Sequence, residues 1–394
     1  MDDRIFEYLQ DPFLARLATD MQKAGRIKGS LVDLTHKCNL HCKGCYFYSC
    51  GLEKFKETSD DAFDEFIESE KARGTNFFTV LGGEPALRLE RLKKLHDNFN
   101  IMVVTNGLIN IPYEGFETMP IAISVWGDHK FDMDIRGNGK LDVFQKALDN
   151  FKNDQRVVWY YTVMAGHSRC VERVTDQCIA NGNYMGFNYY SDISKLGDEC
   201  DHRNGFDKVQ KAIDRMIQKY PDKVYNIAYV NKIISTGQLY DERWGYDVCC
   251  NITFDHPSNK ERVGNGHFYN KHFRAYNPDL STRKCCVGAD RDCSNCYDLW
   301  VHMGWIMINA HKHLETKESF THWLVTCYMF YLTNRIVDFD DAIKLLPEIH
   351  RRSCRLVMKE YQPTQEFKIT LNKTDHAIVL DSLDKAAQDK EKNL

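Results

Sequence analysis

The sequence predicts an α/β protein: a partial (β/α)6 barrel, TIM-like in plan, with a C-terminal cysteine-rich and helical extension. Three observations predict it. About six short apolar runs recur through the first half of the chain, and most are followed by a helical pattern. Near-continuous apolar strands separated by helices indicate a buried parallel sheet, for which a barrel is the natural closure. The glycine and cysteine motifs of the first half each fall just after a strand, where such barrels carry their chemistry.

Residues 1–28 read as a helical lead-in. Ser30–Leu34 is the first strand. Asp60–Arg73 follows as a helix, with Ser59 as N-cap, Gly74 just past its end, and Phe63, Phe66 and Ile67 on one face. Phe77–Leu81 is an apolar run that stops at Gly82-Gly83. Leu87–Asn98 is the next helix and Ile101–Thr105 the next strand. Ile121–Val125 leads to a helix over Leu141–Phe151. Val157–Met164 is rich in β-formers, Arg169–Ala180 is helical, and Gly186–Tyr190 closes the series. Composition shifts near residue 192. Asp207–Lys219 carries Val209, Ile213, Met216 and Ile217 at helical spacing. Residues 240–300 read as loop, and Tyr297–Arg352 as helical and aromatic. The polar tail Asp384–Leu394 is expected to fray. The expected divisions are 1–28 for the lead-in, 29–192 for the core barrel, 193–240 for a helical connector, 241–300 for the cysteine-rich segment and 301–394 for the C-terminal helices.

The 394 residues carry 52 basic and 56 acidic side chains, a formal charge of −4 that gives no reason to expect nucleic acid as a partner. No apolar run approaches the roughly 20 residues that span a bilayer. The opening MDDRIFEYLQ has acids where a secretory signal would have bases, so the expected location is cytoplasmic. In a reducing compartment, 15 cysteines of which ten fall in two clusters indicate metal or redox chemistry rather than disulfides.

The first cluster is Cys38-Asn-Leu-His-Cys42-Lys-Gly-Cys45, directly after the first strand. Three thiolates can hold three irons of a cubane and leave the fourth iron open to a ligand. The competing use is a closed zinc site completed by His36 or His41. After the second strand comes Gly82-Gly83-Glu84-Pro85. Its glycines permit close backbone approach, and its Glu can accept hydrogen bonds from a ligand ammonium.

These two segments together resemble the leading signatures of the radical S-adenosylmethionine (SAM) superfamily. The resemblance continues in order through Thr105-Asn106-Gly107, Ser124-Val-Trp-Gly127, and Arg136-Gly137 followed by Phe144, covering roughly residues 30–190. It implies that Cys38, Cys42 and Cys45 ligate a SAM-binding [4Fe–4S] cluster. It implies that Gly82, Gly83, Glu84 and Pro85, with Thr105 and Asn106, form the SAM-binding turns, and that Ser124 and Arg136 hold the ribose or carboxylate of SAM. Electron transfer from the cluster would then split SAM and yield a 5′-deoxyadenosyl radical. Two departures stand out. Gly44 occupies a position that is often aromatic in the family, with Tyr46, Phe47 and Tyr48 just after it. Trp126 replaces the usual Asp of Ser-x-Asp-Gly.

The later cysteines are Cys249-Cys250, Cys285-Cys286, Cys293 and Cys296. Cys293-x2-Cys296 has the spacing of a metal knuckle. The arrangement resembles the auxiliary-cluster domains called SPASM or twitch, though a full SPASM domain carries more cysteines in another order. Cys250, Cys286, Cys293 and Cys296 are the expected ligands of one auxiliary [4Fe–4S] cluster, with structural zinc as the alternative. Gly44 and the single late cysteine group before an apolar segment are also similar to adenosylhopane synthase, a radical SAM enzyme of hopanoid lipid synthesis; no substrate is transferred from it.

Cys170 and Cys178 read as buried small hydrophobes, and His302, His311, His313 and His322 as structural or surface groups. The aromatic stretches Tyr297–Ile308 and His322–Leu332 read as helical core, or as the wall of an apolar substrate site. Tyr160, Tyr161, Asn188 and Tyr190 lie on late strands, and those pointing inward would face the barrel cavity. The expected function is hydrogen abstraction from a metabolite, natural product or lipid, with a one-electron donor such as flavodoxin or ferredoxin. The alternatives are adenosyl or methyl transfer to an alkene or lipid, and a non-catalytic zinc or iron–sulfur scaffold.

Overall fold

Helices α1 (Asp3–Tyr8) and α2 (Pro12–Ala24) lead into the sheet, α2 starting at a Pro that needs no N–H there and an Asp11 carboxylate that caps Phe13 N–H. The computed structural model describes residues 3–191, 205–237, 251–264, 269–288 and 296–358. Six strands then lie side by side in chain order, all parallel: β1 (Gly29–Asp33), β2 (Phe77–Leu81), β3 (Asn100–Thr105), β4 (Ile121–Val125), β5 (Val157–Val163) and β6 (Tyr184–Tyr189). The sheet is open, as a partial barrel requires.

Helices α3 (Asp60–Arg73), α4 (Leu89–Asn98), α5 (His129–Arg136), α6 (Val143–Asn150) and α7 (Val171–Ala180) connect the strands. Their starts are set by side-chain caps: Ser59 accepts from Ala62 N–H, Asp128 from Phe131 N–H and Asp142 from Gln145 N–H. Gly74 closes α3 at φ +80°, the left-handed conformation that favours glycine. One sheet face is packed with Phe78, Val80, Val103 and Ile123, all fully buried, and Phe66 of α3 lies 5.9 Å from Phe78.

Helix α5 is short and was not marked by any apolar repeat. Helix α9 (Ala228–Thr236), with β-branched Val230, Ile233 and Ile234, packs on α8 (Phe206–Lys219). Residues 240–300 are not wholly loop. Strand β7 (Ala275–Tyr276) pairs in parallel with β1, Leu31 opposite Ala275, and β8 (Thr282–Arg283) pairs antiparallel with β7. The sheet therefore has eight strands, in the order β6-β5-β4-β3-β2-β1-β7-β8. Strands of two residues leave no periodicity to read.

Helices α10 (Leu299–Ile308), α11 (Lys317–Thr333) and α12 (Leu346–Met358) follow. Asp298 caps α10 by accepting from the N–H groups of Trp300 and Val301. Trp300 stacks on Tyr160 of β5 at 6.4 Å, so α10 lies across the inner side of the sheet. Phe330 of α11 meets Phe77 at 5.8 Å, and Tyr331 OH donates to the Gly25 carbonyl at 2.9 Å. Helix α11 thus sits against the amino ends of the strands. No described helix is long and apolar enough to cross a membrane.

Candidate active site

The thiol triad lies in the loop that leaves β1. Cys38, Cys42 and Cys45 are partly exposed free thiols, and all three line one cavity. The loop is tied down on several sides. Lys43 N–H donates to the Ile135 carbonyl of α5 at 2.8 Å, and Tyr48 OH donates to the Leu40 carbonyl. Gly44 takes φ +74°, a value that an aromatic residue would adopt only with strain. Burial pushes the Cys38 thiol up to about 11 and the Cys42 thiol to about 12, with neighbouring thiols adding to the rise. Three such thiols become stable thiolates only when a cationic centre compensates them.

The Gly-Gly-Glu-Pro turn packs backbone to backbone against that loop. Gly83 N–H donates to Thr35 O at 2.9 Å and Glu84 N–H to Lys37 O at 2.8 Å. A Cβ at position 83 would sit 2.0 Å from the Lys37 carbonyl oxygen. Glycine is required there by the neighbouring chain, whatever else the turn binds. An ammonium is a hydrogen-bond donor only, so the backbone of this turn could meet one only with its carbonyl oxygens.

The Glu84 side chain is turned to a different use from a freely offered acceptor. It is 1% exposed and accepts from Thr105 Oγ1 at 2.6 Å, Asn106 N–H at 2.8 Å and Ala86 N–H at 3.0 Å. Burial raises its pKa while those donors oppose the rise. It locks the end of β2 to the end of β3. Asn106 extends the link, since its Nδ2 donates to Asn39 Oδ1 of the cysteine loop at 2.7 Å. Pro85 is buried in the short 3-10 turn that follows.

Arg136 reaches the same cavity from α5. It is 2% exposed, and its Nε donates to Asp132 Oδ2 at 2.9 Å. Asp132 Oδ2 also accepts Trp126 N–H at 2.9 Å. Asp132 belongs to no sequence motif, and its role shows only when Arg136 and the Trp126 backbone are brought to it. Arg136 Nη2 is buried without a partner among the described residues, and so is the hydroxyl of Tyr46, which lines the cavity beside Cys45. Ser124 faces the cavity from the inner side of β4, and Trp126 lies 5.4 Å from Tyr190 at its rim.

The residues present therefore suit the groups the sequence implies. Three thiols in one loop match an iron–sulfur cluster with a missing protein ligand. Two buried donors without partners, one cationic, match an anionic ligand with several acceptors.

The second cysteine segment reaches the same cavity. Cys286 and Cys296 both line it. Cys250 and Cys293, like Cys249 and Cys200, lie outside the described residues. Cys286 N–H donates to Asn251 O at 3.2 Å, so the residue following Cys250 in sequence is paired with Cys286. A buried ion pair fastens this segment to β1. Arg283 bonds to Asp33, and its guanidinium also donates to Cys286 O at 2.6 Å and Cys285 O at 3.1 Å. Arg283 is 4% exposed and Asp33 fully buried. Neither was singled out from sequence, since a lone Arg and a lone Asp some 250 residues apart carry no motif.

Strand parity is now settled. Tyr160, Asn188 and Tyr190 line the cavity, while Tyr161 turns to the other face and packs on Phe187. Asp298 Oδ2 accepts from Tyr160 OH at 3.2 Å and Asn188 Nδ2 at 3.1 Å. Cys170 and Cys178 are buried, as expected. His302, His313 and His322 are buried too, while His311 is partly exposed.

Fold and site together define a class: a parallel α/β protein presenting a thiol triad at the carboxyl ends of its strands. Residues 29–118, which contain the triad, the glycine turn and Thr105-Asn106, match the 4Fe-4S single cluster domain. The matched domain is one that holds a single 4Fe-4S cluster, and it spans roughly the quarter of the chain that carries the thiol triad.

No curated protein matches the chain by sequence. Among solved structures, SuiB of Streptococcus suis bound to precursor peptide SuiA is 12% identical, with 70% of this chain and 64% of that one covered and a TM-score of 0.44. The chain thus spans less than two thirds of the SuiB length. Native anSMEcpe with bound AdoMet is 16% identical, with 92% and 99% covered and a TM-score of 0.46. TYW1 with a lysine-pyruvate adduct is 15% identical, with 48% and 70% covered and a TM-score of 0.35.

Proposed function

We propose that the chain is a radical SAM enzyme that abstracts hydrogen from an organic substrate, a metabolite, natural product or lipid, and that an auxiliary iron–sulfur cluster sits in its later cysteine segment. One observation carries this reading. The three early thiols, the glycine turn, Ser124, Arg136, Cys286 and Cys296 all line a single cavity at the carboxyl ends of the parallel strands.

On this reading Cys38, Cys42 and Cys45 hold the SAM-binding cluster, and Cys250, Cys286, Cys293 and Cys296 hold the auxiliary one. The cluster with SAM supplies a 5′-deoxyadenosyl radical able to take hydrogen from an unactivated C–H bond. The carbonyls of Gly82, Gly83 and Glu84 receive the ammonium of SAM. Arg136, held in place by Asp132, offers its open Nη2 to the carboxylate or ribose, and Ser124 adds a hydroxyl. Glu84, Thr105 and Asn106 keep the two turns in register. Trp126, Phe47 and Tyr190 would close the site against solvent.

Anaerobic reconstitution followed by metal analysis and dithionite-driven SAM cleavage tests the assignment. Iron in the early site and loss of cleavage in Cys42→Ala are expected. Zinc without iron there, or full cleavage by Cys42→Ala, overturns the reading. Deuterium passing from substrate into 5′-deoxyadenosine marks abstraction, whereas an adenosylated product with no free 5′-deoxyadenosine marks adenosyl transfer.

A further inference from the structure

The cavity does not stop at the SAM motifs. Its volume is about 1170 Å³, which includes the space at the cysteine and glycine motifs that the cofactors would fill. It follows β2 from Gly83 at the carboxyl end back to Phe77 at the amino end, a run of about 20 Å at strand rise. Barrel interiors of this family of architectures are ordinarily filled by layers of side chains. Here the inner positions Leu31, Thr79 and Val104 leave a channel, which Met307 of α10 and Cys327 and Phe330 of α11 line from the other side. Charged lining residues sit at its ends: Glu84, Arg136 and Asp298 at the carboxyl ends of the strands, and Arg26, Lys28, Lys271 and His272 at the amino ends. Between them the described walls carry no charge. An apolar lining of this kind is stabilised when an apolar group fills it.

We infer that this channel receives the substrate, and that the substrate is an elongated apolar molecule, an alkyl or isoprenoid chain lying along the barrel axis with its reacting carbon at the SAM end. The inference rests on the radical SAM reading and narrows its substrate class. The polar side chains between the ends, Ser30, Thr79, Tyr160, Thr162 and Asn188, are fewer than the roughly dozen backbone N–H and C=O groups that an extended peptide of this length would bring. A chain of methylenes loses nothing there and gains from burial.

The test uses the anaerobically reconstituted full-length protein and the probes n-octanol, n-dodecanol and n-tetradecanol, followed by the emission of Trp300 and Trp323, which line the channel. Affinity is expected to rise by up to about fourfold per added methylene and to level off once the channel is full. Thr79→Phe should weaken n-tetradecanol at least tenfold while iron content and SAM binding by equilibrium dialysis stay unchanged. Cys327→Phe blocks the channel from the opposite wall and should do the same; if neither variant folds, the chain-length series on the unmodified protein decides. No dependence on chain length, or unchanged alcohol binding in the folded variants, overturns the channel. Retained alcohol binding with no SAM binding in the unmodified protein overturns the radical SAM reading instead.

Discussion

At the scale of single residues, the site depends on buried polar groups that are satisfied by one another. Arg136 and Asp132 are 2% and 0% exposed and form a bidirectional support for Trp126 and the cavity rim. Removing one member of such a pair strands the other charge, which costs about 3–5 kcal/mol. Arg136→Ala should therefore lower unfolding free energy in urea by that amount, whereas the double variant Arg136→Met with Asp132→Leu should recover much of it; equal loss in both would refute the pairing argument. Gly83→Ala is a sterner test of the turn. With Lys37 O in the way of a new Cβ, the cysteine loop must move, and iron incorporation after reconstitution should fall sharply while far-ultraviolet circular dichroism is kept. The glycine turn and the triad were legible in sequence because short motifs with fixed spacing survive without context. Asp132 was not, because an acid four residues before an Arg on a helix reads as a surface pair until the helix is seen to turn that pair inward.

At the scale of elements, the later cysteine segment is knitted to the barrel rather than appended to it. Its strand β7 adds to β1, and Arg283 crosses to Asp33 while holding the carbonyls of Cys285 and Cys286. Asp33→Asn keeps the shape and removes the charge. It should loosen the second segment ahead of the barrel, seen as early hydrogen exchange at residues 282–286 with β3–β5 still protected; uniform exchange across both would count against a local staple. Asp298 is a second junction, capping α10 while receiving Tyr160 and Asn188. Asp298→Ala should cost about 1–2 kcal/mol from the cap alone, measurable by thermal unfolding. The six principal strands were legible from apolar runs between helices. Strand β7 was not, since two residues cannot show alternation, and its partner is distant in the chain. Helix α9 forms despite its β-branched residues, because their burial against α8 outweighs their local preference.

For the molecule as a whole, buried histidines tie stability to pH. Burial lowers His302, His313 and His350 to about 4 from the usual 6.5. Between those values the unfolded chain binds protons that the fold excludes, so each such group withdraws stability as pH falls through that window and none above it. His350→Gln retains a donor for the Val224 carbonyl but cannot titrate. Relative to the unmodified chain it should gain about 1 kcal/mol per pH unit as pH drops from 6.5 toward 4. A constant difference across that range, followed by denaturant midpoints, would remove His350 from the account. The open barrel and helical C-terminal region matched expectation, but the way α10 and α11 enclose the inner face did not follow from sequence. Aromatic helices read alike whether they fill a core or wall a channel.

The pairing of Leu31 with Ala275 also sets an order of events during synthesis. As the chain leaves the ribosome, β1 has β2 on one flank and bare backbone on the other until Tyr276 has emerged. Through that interval the nascent protein presents an unprotected hydrogen-bonding edge beside three uncommitted thiols. A chain halted before residue 275 would keep that edge indefinitely and should self-associate, while one extended past Arg283 should stay monodisperse.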